Sequence, residues 1–247
     1  MNGARPVGDL KQLEIRIGEK AYPGANGRAL TAVRGLELAI ERDSFTVLIG
    51  PSGCGKTTIL RILAGLDTTY DGTVQWSEAP RVGFVFQEPQ LLPWRSVREN
   101  ILLTAADAFG DDDLQELTEE LGLAEALDRF PGELSLGLAR RVSLARAFAS
   151  LPNVLLLDEP FVSLDEPTAA RLRRLLVRVW SSRPTTALLV THNLREAIEL
   201  ADRLVLLTPG PASVLADIRI DVPREKRDED EIEALRSKLV RSYPTQL

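Results

Sequence analysis

Cysteine is nearly absent: Cys54 is the only one in 247 residues. No disulfide can therefore form within the chain, and nothing in the thiol content argues for an oxidising compartment. Positive charge is not in excess either. Thirty Lys and Arg stand against 36 Asp and Glu, a net charge of −6, which gives no support to nucleic acid as a main partner, because binding a polyanion is driven by surplus Lys and Arg. No run of about 20 apolar residues occurs, so no segment is expected to span a bilayer. The opening MNGARPVGDLKQLEIRIG lacks the apolar stretch of a secretory leader. A cytoplasmic address is the expectation. Fixed-period repeats and low-complexity tracts are missing too. The remainder is ordinary: 44% hydrophobic and 27% charged residues suit a soluble globular protein. The length suits one large domain or a core carrying a smaller insertion.

Periodicity sketches the order of elements. KQLEIRI (11–17) alternates polar and apolar like a half-buried strand, and ALTAVRGLELAI reads as its partner after the turn-rich YPGANGR. FTVLIG (45–50) is a short apolar run of the kind that fills a parallel sheet. RVGFVFQ, NVLLLDEP, TTALLVTH and RLVLLTPG have the same strand character, while TAARLRRLLVRVW and NLREAIELAD have helical spacing. From about 88 to 150 the texture is helical, as for a separate lobe. The tail becomes amphipathic, with Ile232, Leu235 and Leu239 on one face. Strands alternating with helices imply an α/β fold with a mostly parallel sheet.

One stretch carries chemistry by itself. GPSGCGKTT comprises Gly50, Pro51, Ser52, Gly53, Cys54, Gly55, Lys56, Thr57 and Thr58. It matches the glycine-rich phosphate loop and sits between a predicted strand and a predicted helix, the context that motif needs. Glycines let the backbone wrap a phosphate, successive N–H groups point inward, and the helix adds its positive end. Lys56 is expected to reach the β/γ-phosphates, and the Thr57 hydroxyl to ligate Mg²⁺. The apolar strand of NVLLLDEP ends in two carboxylates. Asp158 is expected to hold Mg²⁺ through its water shell, and Glu159 to polarise an attacking water. A solvated acidic turn is the alternative, which the phosphate loop disfavours. His192, the only histidine, closes another strand, where ligands collect in open α/β sheets; a donor there could bind the γ-phosphate and fix the water. Gln87 closes VGFVFQ in the same way and could offer its amide oxygen to Mg²⁺ or to the water.

The ordered set of Gln87, LSLGLARR, LLLDEP, SLD (163–165) and TH (191–192) resembles the ATP-binding cassette ATPases over roughly 12–222. The resemblance implies an α/β P-loop NTPase (RecA-like) core with an N-terminal antiparallel β subdomain and an inserted helical subdomain. Core and β subdomain would occupy 12–87 and 151–222, the helical part 88–150 and a tail helix 223–247, within one domain of 1–247. It further implies that Tyr22 stacks on adenine, although a turn tyrosine before Pro-Gly is the alternative. Asp165 would lie in the loop that meets an opposite subunit, and His192 would be the switch histidine. Two copies would dimerise head to tail, Ser135 and Gly137 of one meeting the ATP bound by the other, with ATP and Mg²⁺ as ligands.

GPSGCGKTTILRILAGL, VFQEPQLLPWRSVRENI and the tail beginning PRE look like importer ATPases for nitrate, sulfonate or taurine. These work at the cytoplasmic face of the membrane with two transmembrane permease subunits and, indirectly, a substrate-binding protein. On that likeness LLPWRSVREN (91–100) forms part of the groove for the permease; core packing of the helical region is the alternative. A lipid or efflux ATPase and a soluble non-transport cassette remain competing readings. Two departures stand out. ERDSF (41–45) lacks the usual Gly-Glu. Leu136 occupies the first position of the signature's usual Gly-Gly pair, ahead of Gly137: pointing away it leaves the site intact, pointing in it weakens it.

Overall fold

The computed structural model describes residues 11–24, 29–183 and 185–244. Three strands, β1 (Lys11–Tyr22), β2 (Leu30–Glu41) and β4 (Asp71–Trp76), form an antiparallel sheet in the order β2-β1-β4. A second sheet has the order β5-β6-β7-β3-β8-β9, from β3 (Phe45–Ile49), β5 (Val82–Val85), β6 (Val154–Asp158), β7 (Thr186–Thr191), β8 (Arg203–Leu207) and β9 (Val214–Arg219). All its pairs are parallel except β8–β9.

The middle strands of this sheet are apolar throughout because both faces are covered. Val47, Leu155, Leu157, Leu189 and Leu206 face one cluster, packed by α4 (Leu136–Ala149), α5 (Glu166–Ser182), α6 (Leu194–Leu200) and α7 (Glu229–Ser242). Their neighbours Leu48, Leu156, Leu188, Val190 and Val205 face a second cluster, shared with α1 (Lys56–Leu63) and the antiparallel sheet. The period of two along each strand thus divides one sheet between two cores.

The stretch 88–150 carries α2 (Val97–Leu102), α3 (Asp111–Glu120) and α4, joined by turns and two short 3-10 segments. Val142, Leu144 and Ala145 of α4 share a buried cluster with β6 and β7. In the tail helix Ile232 and Leu239 are buried and Leu235 is half-buried against the same cluster, as the amphipathic pattern requires. Two strands have no counterpart in the periodicity reading: β4 and β9 are edge strands with half or more of their residues exposed, so neither gives an apolar run. In the turn before β3, Asp43 adopts φ 54°. An aspartate tolerates the left-handed region better than most residues, which fits the absence of the usual glycine there.

Candidate functional site

Strand order explains why residues far apart in sequence meet. β5, β6, β7 and β3 are consecutive and parallel, so their carboxyl ends lie at one edge. Asp158 is level with Val190, and Ile49 with Thr191.

Past Ile49 the chain loops back tightly before α1. Gly53 and Gly55 have φ 78° and 120°, and a Cβ on Gly55 would lie 2.4 Å from the Ala32 carbonyl oxygen; only glycine fits that position. Cys54 is buried beneath the loop, and burial pushes its thiol pKa up, so it is a packing residue rather than a nucleophile. Ser52, Gly53 and Thr57 face outward. The Lys56 ammonium donates to the carbonyls of Gly50 (2.8 Å) and Pro51 (3.0 Å), which aims it across the loop.

The carboxylates close on this loop. Thr57 donates its hydroxyl to Asp158 Oδ1 at 3.0 Å. Burial raises the Asp158 pKa, partly opposed by the Thr57 hydrogen bond. Glu159 sits one residue beyond β6 at φ 43°. Its N–H donates to Val190 O (3.0 Å), while Oε2 lies 2.8 Å from His192 Nδ1 and Oε1 lies 3.5 Å from Lys56 Nζ. A carboxylate held between an ammonium and an imidazole, on a backbone outside the relaxed regions, is a group whose direction the fold imposes.

Beneath His192, Thr191 donates to the buried Glu196 (2.8 Å), and the Asn193 side chain accepts from the N–H groups of Arg195 and Glu196. The sequence reading passed over this support. Asn193 followed three residues later by Glu196 is the helix-start signal that could have found it.

Mg²⁺ asks for hard oxygen donors and takes only one or two from protein when phosphates and waters complete its shell. Thr57 and Asp158 present such oxygens side by side, and a buried carboxylate with a raised pKa gains from a nearby cation. The residues fit the ion. Among the described residues no cluster of three or more His, Cys, Asp and Glu is placed to hold a metal.

The other candidates are distributed around this centre. The Tyr22 hydroxyl is 2.9 Å from Asp67 Oδ2 and 3.4 Å from Thr58 Oγ1, and Lys20 Nζ lies 4.5 Å from the ring centroid; the ring stands beside the loop with a cation on one face. Gln87 is exposed and sits two residues past the end of β5, not on the strand.

Ser135 caps α4 and accepts the Leu138 N–H at 3.3 Å. Asp165 caps α5 and accepts the Thr168 N–H at 3.0 Å; its bonds to Thr168 hold its pKa down. Gly137 joins these two starts, since a Cβ there would stand 3.0 Å from Thr168 Cγ2. Leu136 is the first residue of α4 and is 41% exposed. Among the described residues no hydrogen bond or ion pair runs directly from Ser135, Gly137 or Asp165 to the phosphate loop. The candidates form two groups, one around Lys56 and one at the starts of α4 and α5.

The sequence pattern described as ABC transporter matches residues 33–162. This chain belongs to that family. The aliphatic sulfonates import ATP-binding protein SsuB 2 of Burkholderia lata is 38% identical over 240 residues, covering 94% of the cassette and 86% of the relative. SsuB of Bacillus subtilis is 40% identical over 239 residues, with 93% of each chain covered. Among solved structures, the dimeric post-hydrolysis state of the ATP-binding cassette MJ0796 bound to ADP and Pi superposes with a TM-score of 0.72 at 26% identity, over 85% of this cassette and 100% of that chain. The cassette is an ABC ATPase of the importer type. No helix among its described residues is long and apolar enough to cross a membrane.

Proposed function

We propose that this cassette is the motor of an importer for small organic anions of the sulfonate kind, hydrolysing ATP as a homodimer at the cytoplasmic face of a membrane beside two permease subunits fed by a substrate-binding protein. The observation that carries the hydrolytic part is the Glu159 carboxylate held between Lys56 and His192, next to the Thr57–Asp158 pair.

The loop Gly50–Thr58 binds the phosphate chain, and Lys56 moves from its loop carbonyls to the β/γ-phosphates. Thr57 and Asp158, with Gln87, would hold Mg²⁺, which would neutralise phosphate charge. Glu159 orients a water in line with the γ-phosphorus and accepts its proton. His192, whose side chain is 48% exposed, turns its free ring edge to the γ-phosphate. Tyr22 offers its uncovered face to adenine. Ser135, the N–H groups that start α4, and Asp165 complete the site of the opposite subunit; a helix start is a natural seat for a phosphate. Catalysis is chiefly positioning and charge stabilisation.

That the two relatives are aliphatic sulfonate import ATP-binding proteins supports the substrate class. Trp94, 71% exposed in the segment after Gln87, supports a docking surface there, because exposed apolar groups mark interfaces. The test is Glu159→Gln. Loss of a general base lowers kcat by about 10²–10⁴-fold; ATP binding persists and an ATP-bound dimer accumulates in size-exclusion chromatography. Near-normal turnover refutes the assignment. Stimulation by ribosomes or nucleic acid alone, without membrane subunits, refutes the importer reading.

A further inference from the structure

Arg140 lies in α4, five residues beyond Ser135, with only 3% of its surface exposed. A guanidinium out of water is costly unless its donors are met. Among the described residues no carboxylate lies within ion-pair distance of it. Its donors go instead to main-chain carbonyls: Nη1 to Phe86 (3.3 Å) and to Gln87, and Nη2 to Val162 (3.1 Å). Only Nε is buried without a partner.

The places it grips matter. Phe86 and Gln87 form the exit from β5 into the segment that bears the Gln87 side chain. Val162 closes the turn after β6: its own N–H returns to Glu159 O at 3.2 Å, and Glu159 and Ser163 on either side have φ 43° and 64°. Such a turn persists only when its surroundings over-determine it. Further along α4, Arg146 donates to Gln90 O at 2.6 Å, and Gln90 too has positive φ, 49°. One helix thus holds the stretch 86–90 at both ends, entirely through backbone oxygens.

We propose that Arg140 is a positioning residue that locks α4 to both the Gln87 segment and the Glu159 turn, so that Ser135 at the helix start and the catalytic carboxylate move as one unit. The proposal rests on the roles given above to Ser135, Gln87 and Glu159, and deepens them: a shift of α4 as two subunits meet reaches Glu159 through one side chain. Arginine suits this task because its planar fork serves several acceptors at once, where a lysine ammonium serves fewer and without fixed direction. Since the acceptors are main-chain carbonyls, side-chain changes at 86, 87 or 162 leave the contact available.

The test compares Arg140→Gln and Arg140→Lys with the parent in the full chain, measuring ATP dissociation constant, kcat, melting temperature and amide hydrogen exchange. Arg140→Gln is expected to lower kcat by about 10–100-fold, the scale of a small misplacement of reacting groups. ATP affinity stays within about twofold, because Lys56 and its loop are untouched. Arg140→Lys recovers part of the rate. Exchange accelerates at 86–90 and 159–163 and not in β8 or α6. Unchanged kcat in Arg140→Gln overturns the proposal, as does a loss of affinity and rate together in step with the melting temperature. Should Arg140→Gln fail to fold, exchange in Arg140→Lys decides: no acceleration at the two segments overturns it. Exchange needs no turnover, so it judges the lock even if Glu159→Gln refutes the hydrolytic reading.

Discussion

Leu136→Gly restores the glycine pair that the family usually carries, and its consequences follow from where residue 136 lies. It is the first residue of α4, and it is not among the residues with positive φ. A glycine therefore relieves no backbone strain there. The Leu138 N–H is taken by Ser135 Oγ and the Ala139 N–H by Ser135 O, so the donors left at the helix start are the main-chain N–H groups of residues 136 and 137, which are present whether residue 136 is leucine or glycine. Glycine costs up to about 0.8 kcal/mol against leucine by helix propensity. Re-exposing the covered part of the leucine adds up to about 1 kcal/mol. The sum, up to about 1.8 kcal/mol, lowers the melting temperature by up to roughly 7 °C for a domain of this size. Turnover, read as phosphate release at saturating Mg·ATP, should stay within about threefold of the parent, a barrier change below about 0.7 kcal/mol. A hundredfold rise in kcat would show that leucine points into the nucleotide site, and a higher melting temperature would show that residue 136 is not in helical conformation.

Two further substitutions follow from the same geometry. Gly137→Ala gains about 1 kcal/mol in helix propensity but forces Thr168 aside, so a net loss of about 1 kcal/mol and a melting temperature lower by about 2–4 °C is expected; a rise refutes the packing role. Asp158→Asn tests the buried carboxylate. Its folded pKa is raised by burial, so its contribution to stability is fully present below the ordinary carboxylate value near 3.8 and is lost as pH rises through the raised folded value. The variant should therefore melt higher than the parent at neutral pH, with the gain vanishing as pH falls toward 4, while Mg²⁺-dependent hydrolysis is lost. A stability gain that grows on acidification contradicts that sign.

That the glycine-rich loop, Asp158, Glu159 and His192 meet was legible because each follows or ends a short apolar run, and parallel strands bring such ends to one edge. The helical stretch and the amphipathic tail were legible by period. What escaped depends on approach rather than on period. Arg140 beside Arg141 reads as a solvated helix face; only the fold brings the carbonyls of Phe86, Gln87 and Val162 to it. Nothing in the helical spacing of NLREAIELAD marks Glu196 as buried; it is the fold that covers it and brings the Thr191 hydroxyl to it. β9 alternates exposed and half-buried residues along an edge and carries no apolar run. Gln87 was placed on a strand because Phe84 and Phe86 extend its apolar pattern, but β5 ends at Val85 and those two rings stack on each other, their centroids 4.2 Å apart.

The signature segment then divides into parts with different physical duties. Ser135 caps, residue 136 supplies an N–H, and Gly137 lets the start of α4 approach Thr168, whose N–H is itself bonded to Asp165. The two helix starts assigned to the opposite subunit's nucleotide are therefore joined directly at Gly137–Thr168. Arg140, one turn on, ties the same block back to the chain's own Glu159 turn. A leucine at 136 disturbs neither link, because its side chain stands partly free at the helix start. A side chain at 137 disturbs the first, and loss of the guanidinium at 140 breaks the second. A tolerant first position and a demanding second one follow from packing alone, so a chain that lacks the first glycine of the pair keeps both links.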